Sequence, residues 1–290
     1  MTIAAKEVLG VFHAPAGHWV GDGFPVRTLF SYDRLGKLLS PFLLLDYAGP
    51  AQFAPAHKPR GVGEHAHRGF ETVTIVYSGE VSHRDSGGNG GTIGPGDVQW
   101  MTAGAGVLHE EFHSAAFTRE GGLLKMAQLW VNLPARDKMN PPRYQAISND
   151  SIPAVDLPDG AGKVRVIAGQ FGGAAGPART WTELNVWDVA MSAGACTLQV
   201  PEGHNTVLAV LGGELSLASG QVLGDGDLVI LGAAGSRVAL KSGSNASFLL
   251  LSGVPIDEPI AGYGPFVMNT REEIVAAFED LQAGRFGSMG

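Results

Sequence analysis

One cysteine in 290 residues removes most of the chemistry that sulfur could supply. Cys196 has no partner for an intrachain disulfide, and no thiolate cluster can form. In its apolar stretch it reads as a small core residue. Long apolar runs are missing too. No window reaches the roughly 18 apolar residues of a membrane span, and residues 1–10 lack the basic-then-apolar pattern of a signal peptide. Charged residues make up only 17% of the chain, and their balance is acidic, with a formal net charge of -8. Such a surface offers little general attraction to phosphate backbones or anionic lipids. Direct nucleic-acid binding and membrane association are therefore not expected, and a soluble cytoplasmic protein is the simplest reading. The local cluster Lys58, Arg60 and Arg68 reads as a solvated loop. Phosphate-cradling loops and nucleophile elbows are absent: the glycine run 87–91 is not followed by lysine and a hydroxyl, and no serine lies in a G-x-S-x-G context.

Glycine and short β-branched runs are present in quantity. Hydrophobic residues reach 44%, enough for a sizeable core, and the 42 glycines recur at strand ends without a collagen period. Leu43-Leu44-Leu45, Thr72–Tyr77, Val98–Thr102 and Lys125–Leu133 read as strands, separated by turns such as Gly94-Pro95-Gly96-Asp97. The stretch 136–162 is rich in proline and reads as a connector. A second half echoes the first. Thr206–Leu211 repeats Thr72–Tyr77, and Gly224-Asp225-Gly226-Asp227 repeats the turn at 94–97. Two copies of one β-barrel plan explain the length. At the end, Thr270 and Glu273 have capping-box spacing. Ile274, Ala277, Phe278 and Leu281 then form an amphipathic helical stripe, with Gly284 as its stop.

Four residues stand out chemically. His65 and His67 are spaced i, i+2, so they share one face of a strand. His109 and Glu111 have the same spacing. Two such strands facing each other could bring three imidazoles and one carboxylate to one ion. That set suits a transition metal such as iron better than calcium or magnesium. In the second half the aligned positions are Gln199, Pro201, Ala239 and Lys241, so at most one such ion is expected per chain. His83 and His113 read as strand or loop surface, and His13, His18 and His57 have no paired motif. Trp100, Met101 and Trp130 read as barrel core.

Several segments resemble the pirin family of the cupin superfamily. They include Pro41-Phe42-Leu43-Leu44-Leu45-Asp46, His65-Ala66-His67-Arg68-Gly69-Phe70-Glu71-Thr72-Val73 and Gly96-Asp97-Val98-Gln99-Trp100-Met101-Thr102-Ala103-Gly104. Gly106-Val107-Leu108-His109, Gln128-Leu129-Trp130-Val131-Asn132-Leu133-Pro134 and Gly264-Pro265-Phe266-Val267-Met268-Asn269-Thr270 continue the match. The resemblance implies an all-β fold of two tandem cupin (double-stranded β-helix) barrels with a short C-terminal helix. The expected boundaries are 1–135 for the metal-binding barrel, 136–162 for the connector, and 163–290 for a second barrel that lacks the ligands and carries the helix.

The same resemblance places iron, as Fe(II), on His65, His67, His109 and Glu111. Family members commonly have a small residue where this chain has Glu110. Strand alternation points Glu110 away from the ion, although a bulge there would leave the choice of carboxylate open. Glu71 has the spacing of the glutamate ligand of many other cupins, but the pirin pattern favours Glu111. The implied activity is that of a quercetin 2,3-dioxygenase, which opens the central flavonol ring with dioxygen and loss of carbon monoxide. Glu111 would be the base for the flavonol hydroxyl. The expected partners are a small aromatic substrate and dioxygen, acting on a monomer. The alternative is a non-enzymatic regulator that binds a protein partner according to the redox state of its iron.

Overall fold

The computed structural model describes residues 4–289, and strands dominate it. Among the described residues no helix is long and apolar enough to cross a membrane. The chain forms two compact units, each built from one seven-stranded and one four-stranded antiparallel sheet.

The first unit comprises 17–28, 42–149 and the chain from 256 on. Its larger sheet runs Arg143–Ile147, Val98–Thr102, Phe70–Ser78, Gly122–Asn132, Phe42–Phe53, Phe24–Ser31, His18–Val20. Its smaller sheet runs Gly61–His67, Val107–His113, Val81–Asp85, Gly90–Ile93. The second unit repeats this order strand for strand. Its larger sheet is Val8–Phe12, Leu228–Leu231, Asn205–Gly212, Ala246–Gly253, Leu184–Met191, Gly162–Ala168, Ala154–Asp156. The internal repeat extends to register. Ile75 pairs with Val98 in the first barrel, and their sequence counterparts Ala209 and Leu228 pair in the second.

The division at 135 and 163 needs correction. The strand Val8–Phe12 pairs with Leu228–Leu231 and so belongs to the second barrel. The C-terminal helix belongs to the first. The physical reason is an open sheet edge, which leaves a row of backbone groups unpaired. In the first barrel Arg143–Ile147 covers the edge of Val98–Thr102. In the second, the chain's first strand does the same for Leu228–Leu231. The connector is therefore not a plain linker. It supplies that edge strand to one barrel and Ala154–Asp156 to the other. Pro141, Pro142 and Pro153 sit just outside these strands, where no ladder bond is lost.

The helix Arg271–Gln282 begins as expected. Thr270 accepts from the Glu273 amide, and the Glu273 carboxylate accepts from the Thr270 amide. Its stripe of Ile274, Ala277, Phe278 and Leu281 packs with Phe266, Met268, Phe286 and Ala66 of the same unit. Ala66 lies between His65 and His67, so this satellite core backs the histidine strand.

The two barrel interiors differ in polarity. The second is filled by Trp187, Phe248, Leu250, Leu208 and other apolar side chains. Opposite Ala239 lies Thr197, which slips the sequence alignment of that strand by two residues but restores no imidazole. The first interior buries His67, His83, His109 and Glu111.

Candidate metal centre

The strand Val107–His113 alternates strictly between buried and half-buried side chains, so Val107, His109, Glu111 and His113 face inward. On one side it pairs with Gly61–His67, placing His109 opposite His65 and Val107 opposite His67. This ladder is irregular beyond His109, since Glu111 lies opposite Val62. The extra residue is on the other strand, at Gly63-Glu64, because pairing of Val107–His113 with Val81–Asp85 is regular throughout. The bulge therefore leaves His109-Glu110-Glu111 in phase. Glu110 points outward, where Arg84 donates to its carboxylate at 2.8 Å.

The ring centres of His65, His67 and His109 lie 4.1–4.9 Å apart. Their candidate ligand atoms all fall within 4.8 Å of one another. The Nδ1 atoms have other neighbours: His65 Nδ1 is 2.9 Å from the Gly63 carbonyl, and His67 Nδ1 is 3.3 Å from the Pro265 carbonyl. A ring nitrogen committed to a carbonyl leaves Nε2 as the ligating atom. His109 is fully buried, and its Nε2 has no hydrogen-bond partner. An orphaned buried nitrogen costs stability unless something binds it. Burial, aided by the neighbouring His65, holds the His67 imidazole down to about 3. Burial and the surrounding histidines hold His109 well below the usual range. Both rings are therefore neutral at physiological pH, the form that ligates metals.

Glu111 faces the same interior. Its Oε1 accepts from Thr74 Oγ1 at 3.3 Å and Gln99 Nε2 at 3.4 Å, and its Oε2 from Gln128 Nε2 at 2.9 Å. It groups with His109 and His83 within 4.8 Å, not with all three of His65, His67 and His109. Among the described residues, then, two candidate triads share His109.

Glu71 belongs to neither triad. It is buried, accepts from Thr102 Oγ1 at 2.6 Å, and burial pushes its carboxyl up to about 7. In the unfolded chain it ionises near 4.5. Between these values the folded state holds more protons than the unfolded one, so stability falls as pH rises through that window. Glu71→Gln is expected to remove this slope and to raise stability at neutral pH by up to ~3 kcal/mol. Denaturant melts of both proteins from acid to neutral pH measure it; parallel profiles would refute it.

His83 and His113 are not on the surface. Both are buried, because Val81–Asp85 and Val107–His113 each turn alternate side chains inward. His113 is held by the Gly23 carbonyl at 2.9 Å and by the rings of Phe24, Phe53 and Phe117. His83 joins the site: its Nδ1 is 3.4 Å from His109 Nδ1, and its Nε2 is 3.5 Å from Asp85 Oδ2. Tyr144 stacks on its ring at 5.1 Å. Sequence reasoning missed this pair, although His83-Arg84-Asp85 repeats the i, i+2 spacing of the two recognised motifs. His13, His18 and His57 are exposed. Trp100 and Met101 are core, whereas Trp130 is half-buried with its ring 5.3 Å from His67.

A narrow cleft of about 370 Å³, its open mouth included, leads to His65 and Glu111. Val20, Phe24, Val26, Val62 and Met126 make its walls apolar, and Gln128 and Asp46 add polar groups. The residues present fit a divalent metal: neutral imidazoles, an oriented carboxylate and an unpartnered buried nitrogen.

Comparison with known proteins agrees with this architecture. Residues 23–131 match the family model described as Pirin, and residues 186–287 match the Pirin C-terminal cupin domain. A Pseudomonas aeruginosa protein, provisionally named a quercetin 2,3-dioxygenase, is 57% identical over 97% of this chain and 98% of its own length. A pirin-like protein of Caulobacter vibrioides is 41% identical, covering 93% of this chain and 96% of its own. The crystal structure of a quercetin 2,3-dioxygenase from Acinetobacter baumannii superposes with a TM-score of 0.96 at 54% identity, covering 99% of this chain and 100% of that one. With both barrels matched, the chain belongs to the pirin family.

Proposed function

We propose that this pirin holds iron on His65, His67, His109 and Glu111, and that it is a dioxygenase opening the central ring of quercetin-type flavonols or a related aromatic. The observation that carries the reading is the buried, unpartnered His109 Nε2. It faces two further imidazoles beside an apolar cleft. Three imidazoles with one carboxylate favour iron over the oxygen-seeking alkaline earths. The names of the Pseudomonas and Acinetobacter relatives support the substrate class. The metal, when bound, supplies an open position that polarises an oxygen-bearing aromatic.

The chain's own residues do the rest. Val20, Phe24, Val26, Val62 and Met126 bind the rings of the substrate and exclude water. Glu111 takes the proton of the substrate hydroxyl. Gln128, donating to Oε2, aims the carboxylate for this role, and Gln99 and Thr74 fix Oε1. Glu111 lines the cleft together with His65, which suits a base as well as a ligand.

The test is oxygen uptake by iron-loaded protein with quercetin, with carbon monoxide as the diagnostic product. Turnover that needs iron is expected. No uptake with quercetin or related flavonols, together with redox-dependent capture of a protein from cell extract, would favour a regulator instead.

A further inference from the structure

We propose that Asp85 and His83 form a relay of two positioning residues that sets the tautomer of His109, so that its Nε2 carries a lone pair toward His65 and His67. The inference rests on the reading of His109 as a metal ligand, and it concerns how the chain prepares that ligand before any metal arrives. His65 and His67 are each oriented by a backbone carbonyl, which can only accept. His109 has no such carbonyl. Its Nδ1 faces another ring nitrogen, His83 Nδ1, at 3.4 Å. One of these two nitrogens must carry the proton, and the pair alone does not decide which.

Asp85 decides it. Its Oδ1 accepts from the Asn89 backbone amide at 2.9 Å and from Asn89 Nδ2 at 3.1 Å, and Nδ2 also reaches Oδ2 at 3.1 Å, so both oxygens are fixed in place. Its Oδ2 is then 3.5 Å from His83 Nε2. A carboxylate only accepts, so His83 carries its proton on Nε2 and presents a bare Nδ1 to His109. His109 donates from Nδ1, and its buried Nε2 is left without a proton or a partner. Tyr144, stacked nearly parallel on His83, holds that ring in the plane the relay needs. The strand pairing puts both residues in reach, since Asp85 lies opposite His109 and His83 opposite Glu111.

Asp85→Asn inverts the relay at constant shape. The amide oxygen takes the Oδ1 position, where it keeps both Asn89 bonds, so the NH2 takes the Oδ2 position, gives up the contact from Asn89 Nδ2 and faces His83 Nε2. His83 is then protonated on Nδ1 and donates to His109 Nδ1, and His109 is protonated on the ligating Nε2. The same exchange behind the histidine of serine proteases locks the wrong tautomer. Long-range proton–nitrogen NMR of the metal-free protein reads the tautomer, and cobalt(II) titration against a chromophoric chelator reads affinity. Wild type is expected to show Nδ1–H on His109, and Asp85→Asn to show Nε2–H with cobalt affinity about 10–100-fold weaker. His83→Leu is expected to lose affinity to a similar degree, about 10–100-fold, whereas His83→Gln, whose amide oxygen can accept from His109, stays within about threefold of wild type. A purely structural role would make Gln and Leu lose alike, and that result overturns the proposal. So does Nε2–H on His109 in the wild type. Wild type with the expected tautomer, switched by Asp85→Asn, but with no cobalt binding supports the relay and sinks the metal reading alone.

Discussion

Replacing His109 by alanine is expected to abolish both metal retention and oxygen consumption while leaving the metal-free protein folded. The two halves of this expectation have different causes. His109 is the one residue common to both candidate triads, so its loss leaves two imidazoles on one side and His83 with Glu111 on the other. Neither remnant closes a site. Stability responds less because the imidazole is only half satisfied where it stands, through Nδ1 alone. Its Nε2 is buried without a partner, a cost of about 1–3 kcal/mol that the alanine variant does not bear. Truncation opens a cavity and leaves His83 Nδ1 buried without its partner, costs of the opposite sign. Thermal melts of the metal-free proteins should therefore show a folded variant that is less stable by only about 1–3 kcal/mol. Added iron or cobalt should raise the wild-type melting temperature and leave the variant's unchanged, since only a ligand that binds the native state stabilises it. Metal analysis of the purified variant completes the measurement. Undiminished metal content would remove His109 from the site, and a collapse of the metal-free fold would mean that its role is packing.

That contrast between chemistry and packing also marks what the sequence could disclose. The i, i+2 pairs were legible because strand alternation is a local rule. It put His65 with His67 and His109 with Glu111, and it sent Glu110 outward to Arg84. The barrel repeat was legible in its turns and paired strands for the same reason. Three things were not. Strand order in a sheet is set by which backbone edge needs covering, so nothing in Val8–Phe12 announces a partner near residue 230. The bulge at Gly63-Glu64 sits in the histidine strand and not in the glutamate strand, a choice visible only in the pairing. His83 and Asp85 obey the alternation rule, but without knowing that Val81–Asp85 lies beside Val107–His113 their inward face had no destination. In each case the missing information was which strands are neighbours.

Lys138→Met is expected to cost about 3–5 kcal/mol of stability, because it removes donors and leaves acceptors. The side chain is 1% exposed, and Nζ donates to the Gly69 carbonyl at 2.7 Å, Asn132 Oδ1 at 2.7 Å and the Val267 carbonyl at 2.9 Å. Three acceptors match the three donors of an ammonium group. Methionine has similar length and no donor, so all three oxygens would stay buried and unpaired. In melting temperature the loss corresponds to roughly 10–15 °C for a chain of this size. The position makes the effect specific. Gly69 follows the histidine strand, and Val267 lies two residues beyond Pro265, whose carbonyl faces His67 Nδ1. Loosening the clamp should therefore misalign His67 and weaken cobalt binding as well. Lys6 provides the control. It is also buried, and it donates to the carbonyls of His204, Gly232 and Ala233 in the second barrel, which holds no candidate triad among the described residues. Lys6→Met should destabilise by a similar mechanism and leave cobalt affinity intact. Equal loss of affinity in both variants would mean that the weakening is general softening of the fold and that the clamp does not position His67.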